Sequence, residues 1–194
     1  MVFLRRLCYQ HCLLAALAVF LMAGALSHGA ETSETIQLGR FKAAFTLHFL
    51  RYCKWPDIEG DSVIMAVPES RSFRKIFAVI EGKTIGKRPL KILYFKPGKD
   101  IPPCHALFVP EKYQKNFRVW KDSLGVRPVL TITDIAGLSQ KGVMIELVPA
   151  KDRMTFAVNT DNVSPTALRL SSRLLKLAKI VKNDNQPKNT GGTP

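Results

Sequence analysis

Three arginines, two histidines and two cysteines have the types and spacing that could do chemistry. Arg51 stands at the end of one apolar-periodic segment, and Arg169 and Arg173 share a face of another. A planar guanidinium in such places can clamp a carboxylate or a phosphate through paired N–H donors. Ordinary solvated surface charge is the competing reading of all three. His48 and Cys53 lie five residues apart near a helix end, and Cys104 and His105 are adjacent. Neighbours on a strand point to opposite faces, so the second pair does not converge. Neither pair makes a nucleophile with its base, and His48 on an apolar stripe reads as a core residue, because metal and acid–base sites need convergent partners. The segment Glu81 to Lys87 has two glycines but follows a helix instead of opening one, so it is not a phosphate loop. The chain is therefore read as a binding or regulatory protein and not an enzyme, with no cofactor and no metal. A loop-built site that binds or acts on an anionic small molecule is the alternative.

The elements that must position these residues follow from periodicity. From Glu34 to Tyr52 apolar residues recur at helical spacing, with Ile36, Phe41, Ala44, Phe45, His48, Phe49 and Tyr52 near one stripe. Trp55-Pro56 stops that helix. Ser62 to Val67 is a short, almost wholly apolar run of the kind that forms a strand covered on both faces. Ser72 fits the cap of a helix over Phe73 to Ile80 that Gly82 ends. Leu90–Phe95, His105–Val109 and Pro128–Thr133 read as further strands, with a helix from Tyr113 to Leu124 between the last two. Val143–Val148 and Met154–Val158, joined by the polar turn Pro149 to Arg153, form a hairpin. The expected fold is α/β: a layered, mostly parallel sheet with an antiparallel C-terminal hairpin and helices on both faces. A last helix is expected with Ser164 as cap and Pro165 at its first position. Ala167, Leu170, Leu174, Leu177 and Val181 would be its buried stripe.

The first thirty residues differ in kind. Arg5 and Arg6, the apolar run Leu13 to Met22 and the small residues from Ala23 to Ala30 follow the three-part plan of a cleavable signal peptide, too short for a membrane span. Residues 1–30 are thus expected to be removed, 31–182 to form one domain, and 183–194 to be a disordered tail. Of the 29 basic residues 27 would remain against 15 acidic ones, a net charge of +12. In an exported protein that field points to an acidic protein face, a lipid or a small anion and not to nucleic acid. Export also leaves Cys53 and Cys104 as the remaining cysteines, in a compartment where disulfides persist. Each lies just ahead of an expected parallel strand, at the same sheet edge, so they are expected to bond to each other. Two buried free thiols are the alternative.

Five pieces in one order then become specific. They are Arg51-Tyr52-Cys53-Lys54-Trp55-Pro56; Cys104 to Val109; Val129 to Asp134 with Gly137 and Gly142 before Val143-Met144-Ile145; Phe156-Ala157-Val158-Asn159; and Leu170 to Ala178. From about Ala43 to Val181 the chain resembles the YfiR/HmsC-like family of bacterial periplasmic proteins. The resemblance implies a periplasmic α/β domain, often a homodimer, that represses an inner-membrane diguanylate cyclase by binding its periplasmic sensor region. Release of the repressor raises cyclic di-GMP and promotes biofilm. It also implies an anionic or aromatic small ligand, held by arginines near the positions of Arg51 and Arg169. Where the family carries a cysteine in its first strand this chain has Ser62 to Val67, and a late cysteine pair is absent, so redox control is not carried over.

Overall fold

The computed structural model describes residues 37–58, 60–98, 100–150 and 153–184. The expected signal peptide and residues 185–194 of the expected tail lie outside them. Of the described residues, 37–40 fall in a separate unit and are helical; everything below concerns the unit that starts at Phe41. Among the described residues no helix is long and apolar enough to cross a membrane.

Helix α1 covers 41–52 and runs directly into β1 (Cys53–Lys54). The central strand β2 (Val63–Pro68) is the apolar run VIMAVP, and five of its six residues are buried. After α2 (Arg71–Phe77) and β3 (Thr84–Ile85), strand β4 (Arg88–Phe95) returns beside β2 in parallel register, Met65 opposite Ile92. The chain then crosses back over β2 to place β5 (Ala106–Val109) on its other side, Met65 opposite Ala106. Helix α3 (Gln114–Leu124), β6 (Leu130–Thr133) and β7 (Ile145–Ala150) continue outward, each strand parallel to the one before. β8 (Arg153–Asn159) turns back antiparallel to β7 as the expected hairpin.

This change of direction at β2 sends the helices to opposite faces of the sheet. On one face Phe45 and Phe49 of α1 pack on Phe156, with Phe49 and Phe156 ring centroids 4.9 Å apart, and Phe77 of α2 meets Phe108 at 5.0 Å. On the other, Phe117, Trp120 and Leu124 of α3 cover Ala66, Leu107 and Val109. β5 and β6 are buried along their whole length; β5 is apolar throughout, and in β6 the alternating threonines stay buried because Thr131 accepts from the Met144 N–H and Thr133 donates to the Val109 carbonyl. Each such aromatic side chain removed from water contributes about 1.5–3 kcal/mol.

The expected last helix is not formed as one element. Its residues make α4 (Thr160–Val163), β9 (Arg169–Leu170), α5 (Ser172–Leu177) and β10 (Lys179–Val181). Ser164 ends α4 instead of opening a helix, its hydroxyl donating to the Thr160 carbonyl, and Ser171 caps α5 by accepting from the Leu174 N–H. Of the expected stripe only Leu174 is buried, while Leu177 is 78% exposed. The backbone bonds a helix would have made are made elsewhere: β9 pairs with β1, and β10 joins the sheet edge parallel to β8. Serine side chains that bond nearby backbone favour such breaks. Helix α2 is also shorter than expected, with Ser70 at its cap position and Gly82 in the turn beyond it at φ 75°.

Cys53 and Cys104 are both free thiols in this structure, and the expected bridge between them is not formed. Cys53 follows the helix on the Phe156 face, whereas Cys104 packs with the Trp120 cluster on the opposite face. Sharing one edge of a sheet does not bring two residues to one side of it. Burial pushes the Cys53 thiol up to about 12. Burial likewise raises Cys104, to about 11, against the opposing pull of Arg127 and a backbone hydrogen bond with Ala66. Both thiols are therefore poor nucleophiles. Alkylation at neutral pH with peptide mapping is expected to spare both in the folded protein and to modify both in denaturant without reductant; modification only after reduction would show a bridge. Because the folded thiols hold their protons above the usual value near 9, stability is full below that pH and falls as pH rises from about 9 toward 11 and 12.

Candidate functional site: a cationic surface at the end of helix α1

Helix α1 is anchored by Ala43, Thr46, Phe49 and Leu50, all buried, and its last turn is stiffened by the His48 ring stacked on Tyr52, centroids 6.2 Å apart. His48 is exposed on this helix, so it is not the core residue its stripe position implied. Beyond the helix Trp55 donates its indole N–H to the His105 carbonyl at 2.9 Å and meets the His105 ring edge-on. His105 Nδ1 accepts from the Ile64 N–H at 2.9 Å, and its carbonyl also accepts from the Leu130 N–H. His105 is a strut that joins the starts of β2, β5 and β6 to the chain leaving α1.

Between these anchors β1 and β9 form a two-stranded antiparallel ribbon in which Cys53 faces Leu170 and Lys54 faces Arg169. The Ser171 N–H donates to the Tyr52 carbonyl at 2.9 Å and extends the pairing by one residue. The alternation puts Cys53 inward and leaves Lys54 and Arg169 exposed. Arg51 lies one residue before Tyr52 and Arg173 two after Ser171, so the ribbon gathers Arg51, Arg169 and Arg173 at one end of α1, where Arg173 is also exposed. Arg169 sits on a strand and not on the expected helix. The Arg51 Nε donates to the Thr84 carbonyl at 3.0 Å, which fixes the guanidinium plane and leaves its terminal nitrogens for a ligand.

Lys54 is the residue that reading the chain alone missed; only recognition of residues 53–54 as a strand would have shown it pointing outward. Its position opposite Arg169 matters energetically, because like charges directly across a ribbon are destabilising. Among the described residues the ion pairs lie elsewhere, Lys42 with Asp134 and Arg74 with Glu69, both at 2.6 Å. None of the four cations has an ion-pair partner among the described residues, and a bound anion would relieve their repulsion. Among the described residues there is no group of three or more His, Cys, Asp or Glu side chains placed to hold a metal ion. What the arrangement can do is bind: it offers charge-assisted N–H donors side by side on a two-stranded ribbon.

A family model described as YfiR/HmsC-like matches residues 39–179 of the chain. No curated protein matches it.

Proposed function

The chain belongs to the YfiR/HmsC-like family of periplasmic regulators of cyclic di-GMP signalling, and from that premise we propose that it represses a membrane-bound diguanylate cyclase by docking on the cyclase's periplasmic region. On this reading residues 1–30 direct export and are removed. The cationic surface of Arg51, Lys54, Arg169 and Arg173 receives an acidic face of the partner. The observation that carries the proposal is the Lys54 and Arg169 pair, which has no ion-pair partner among the described residues, a feature that costs stability in isolation and gains it on binding an anion. A small anion would compete with the partner for the same guanidinium groups and so release the cyclase. Nothing in this mechanism requires turnover, because the regulatory output is produced by the partner.

The test is cyclic di-GMP measured in the native cell. Removing the chain is expected to raise the nucleotide several-fold, and restoring the wild-type chain should return it to the starting level. An unchanged level after removal would overturn the proposal, and so would conversion of an anionic substrate by the purified protein.

A further inference from the structure

A second pocket, sharing no residue with the cationic surface, lies between α3, the start of β6 and the stretch that begins with α4; it has a volume of about 240 Å3. Phe117, Lys121 and Leu124 fall on one face of α3, four and three residues apart. Phe117 and Leu124 are buried and, with the buried Met144, give the pocket an apolar floor. Lys121 carries its charge to the rim. Its side chain lies over Gly142, where a Cβ would come within 2.6–2.7 Å of the lysine Cδ, Cε and Nζ. Gly142, at φ 127°, therefore makes room for the lysine as well as for the turn. Among the described residues the Lys121 ammonium makes one hydrogen bond, to the Lys141 carbonyl at 3.4 Å.

Asp161 and Asn162 of α4 line the same pocket. The Asp161 carboxylate accepts only from the Asn183 N–H, at 3.4 Å, and pairs with no cation among the described residues. The Asn162 amide nitrogen is spent on the Ser139 and Val143 carbonyls, at 2.8 and 3.0 Å, so its oxygen remains as an acceptor. The pocket lining thus carries two cations, Lys121 and Arg127, of which Arg127 is tied to the Leu124 and Ser123 carbonyls, and one carboxylate, Asp161, which is paired with neither, above an apolar floor. A ligand with one charge would leave the opposite group unanswered; a ligand with both, joined to a short apolar body, answers each. At about 30 Å3 per water, the volume holds roughly eight water-sized groups.

We infer that this pocket binds a free α-amino acid with an aliphatic side chain, of the size of valine, leucine or methionine. The ligand carboxylate meets Lys121, its ammonium meets Asp161 and the Asn162 oxygen, and its side chain lies on Phe117, Leu124 and Met144.

Isothermal titration of the folded chain with L-leucine, L-valine and L-methionine tests this. At least one should bind saturably at one site, and isovaleric acid and isoamylamine, which each lack one charge, should bind at least about tenfold more weakly. Lys121→Met keeps the methylenes over Gly142, and Asp161→Asn keeps the α4 backbone; each should weaken binding by about tenfold or more, with an unchanged thermal transition. Failure of all three amino acids to bind would overturn the inference. So would equal binding of the acid or the amine alone, whatever the behaviour of the variants. Cyclic di-GMP repression through the arginine surface would stand in either case.

Discussion

Glu146→Ala is expected to lower the stability of the folded chain by about 3–5 kcal/mol, a large share of the ~5–15 kcal/mol that holds a domain together. Glu146 is buried in β7, and its carboxylate takes the Gly137 N–H at 2.9 Å, the Ser139 N–H at 3.0 Å and the Ser139 hydroxyl at 2.5 Å. Hydrogen bonds to a charged group contribute about 1.5–3 kcal/mol each, and donors left unmet in a buried place cost as much again. Partial entry of water at the half-exposed Gly137 moderates the sum. The Ser139 carbonyl is gripped from the other side by Asn159 and Asn162, both at 2.8 Å, so Glu146 and these two asparagines hold the turn at Ser139 between them. Glu146→Gln retains one acceptor oxygen and should cost less than the alanine. Urea unfolding followed by near-ultraviolet circular dichroism measures both. A loss under about 1 kcal/mol for the alanine variant would mean that the turn holds itself.

Charge reversal at the cationic surface should act on binding and leave the fold intact. In Arg51→Glu with Arg169→Glu, each change removes a charge-assisted donor and adds a repulsive carboxylate, worth about 1.5–3 kcal/mol apiece, so affinity for a nucleoside monophosphate should fall by about a hundredfold or more. Wild-type binding should also weaken between 50 mM and 500 mM salt, since all four cations are exposed and salt screens the field of exposed charges. Unlike the Glu146 substitution, Arg169→Glu taken alone should slightly raise thermal stability, because a carboxylate placed opposite Lys54 replaces repulsion with attraction. Cyclic di-GMP in cells carrying the double variant should match that of cells without the chain. Full repression by a variant that no longer binds anions would detach the arginines from the regulatory surface.

What could be read from residues alone follows a physical line. β2 and β5 are legible because a strand buried on both faces must be apolar, and Val63–Pro68 and Ala106–Val109 are; β6 is legible as a short β-branched run, Leu-Thr-Ile-Thr, whose threonine hydroxyls are hydrogen-bonded in the interior. The C-terminal segment was illegible for the opposite reason. Leu170, Leu174 and Leu177 have helical spacing, but the backbone partners that decide their state, Tyr52 to Lys54 and Ala157 to Asn159, lie far away along the chain. The site was legible as residue types and not as geometry: the arginines could be named, but only the ribbon register sets Lys54 opposite Arg169. Glu146 had a signal that went unread. A lone carboxylate inside Val143–Val148 must be buried, and a buried carboxylate needs donors, for which the glycine-containing turn just before it was the nearest supply.

The ribbon of β1 and β9 has a further consequence for how the molecule opens. It joins positions roughly 120 residues apart, and two residue pairs cannot by themselves offset the loop-closure entropy of so long a segment. It is therefore expected to form late, on a sheet already in place, and to open before the strands beneath it. Native-state hydrogen exchange would therefore find the Ser171 amide released by local opening, at a free energy well below that of the amides of β2 and β5. An anion held there draws on that small local free energy alone: binding holds residues 53–54 and 169–170 together, and loss of the anion frees them without unfolding the sheet.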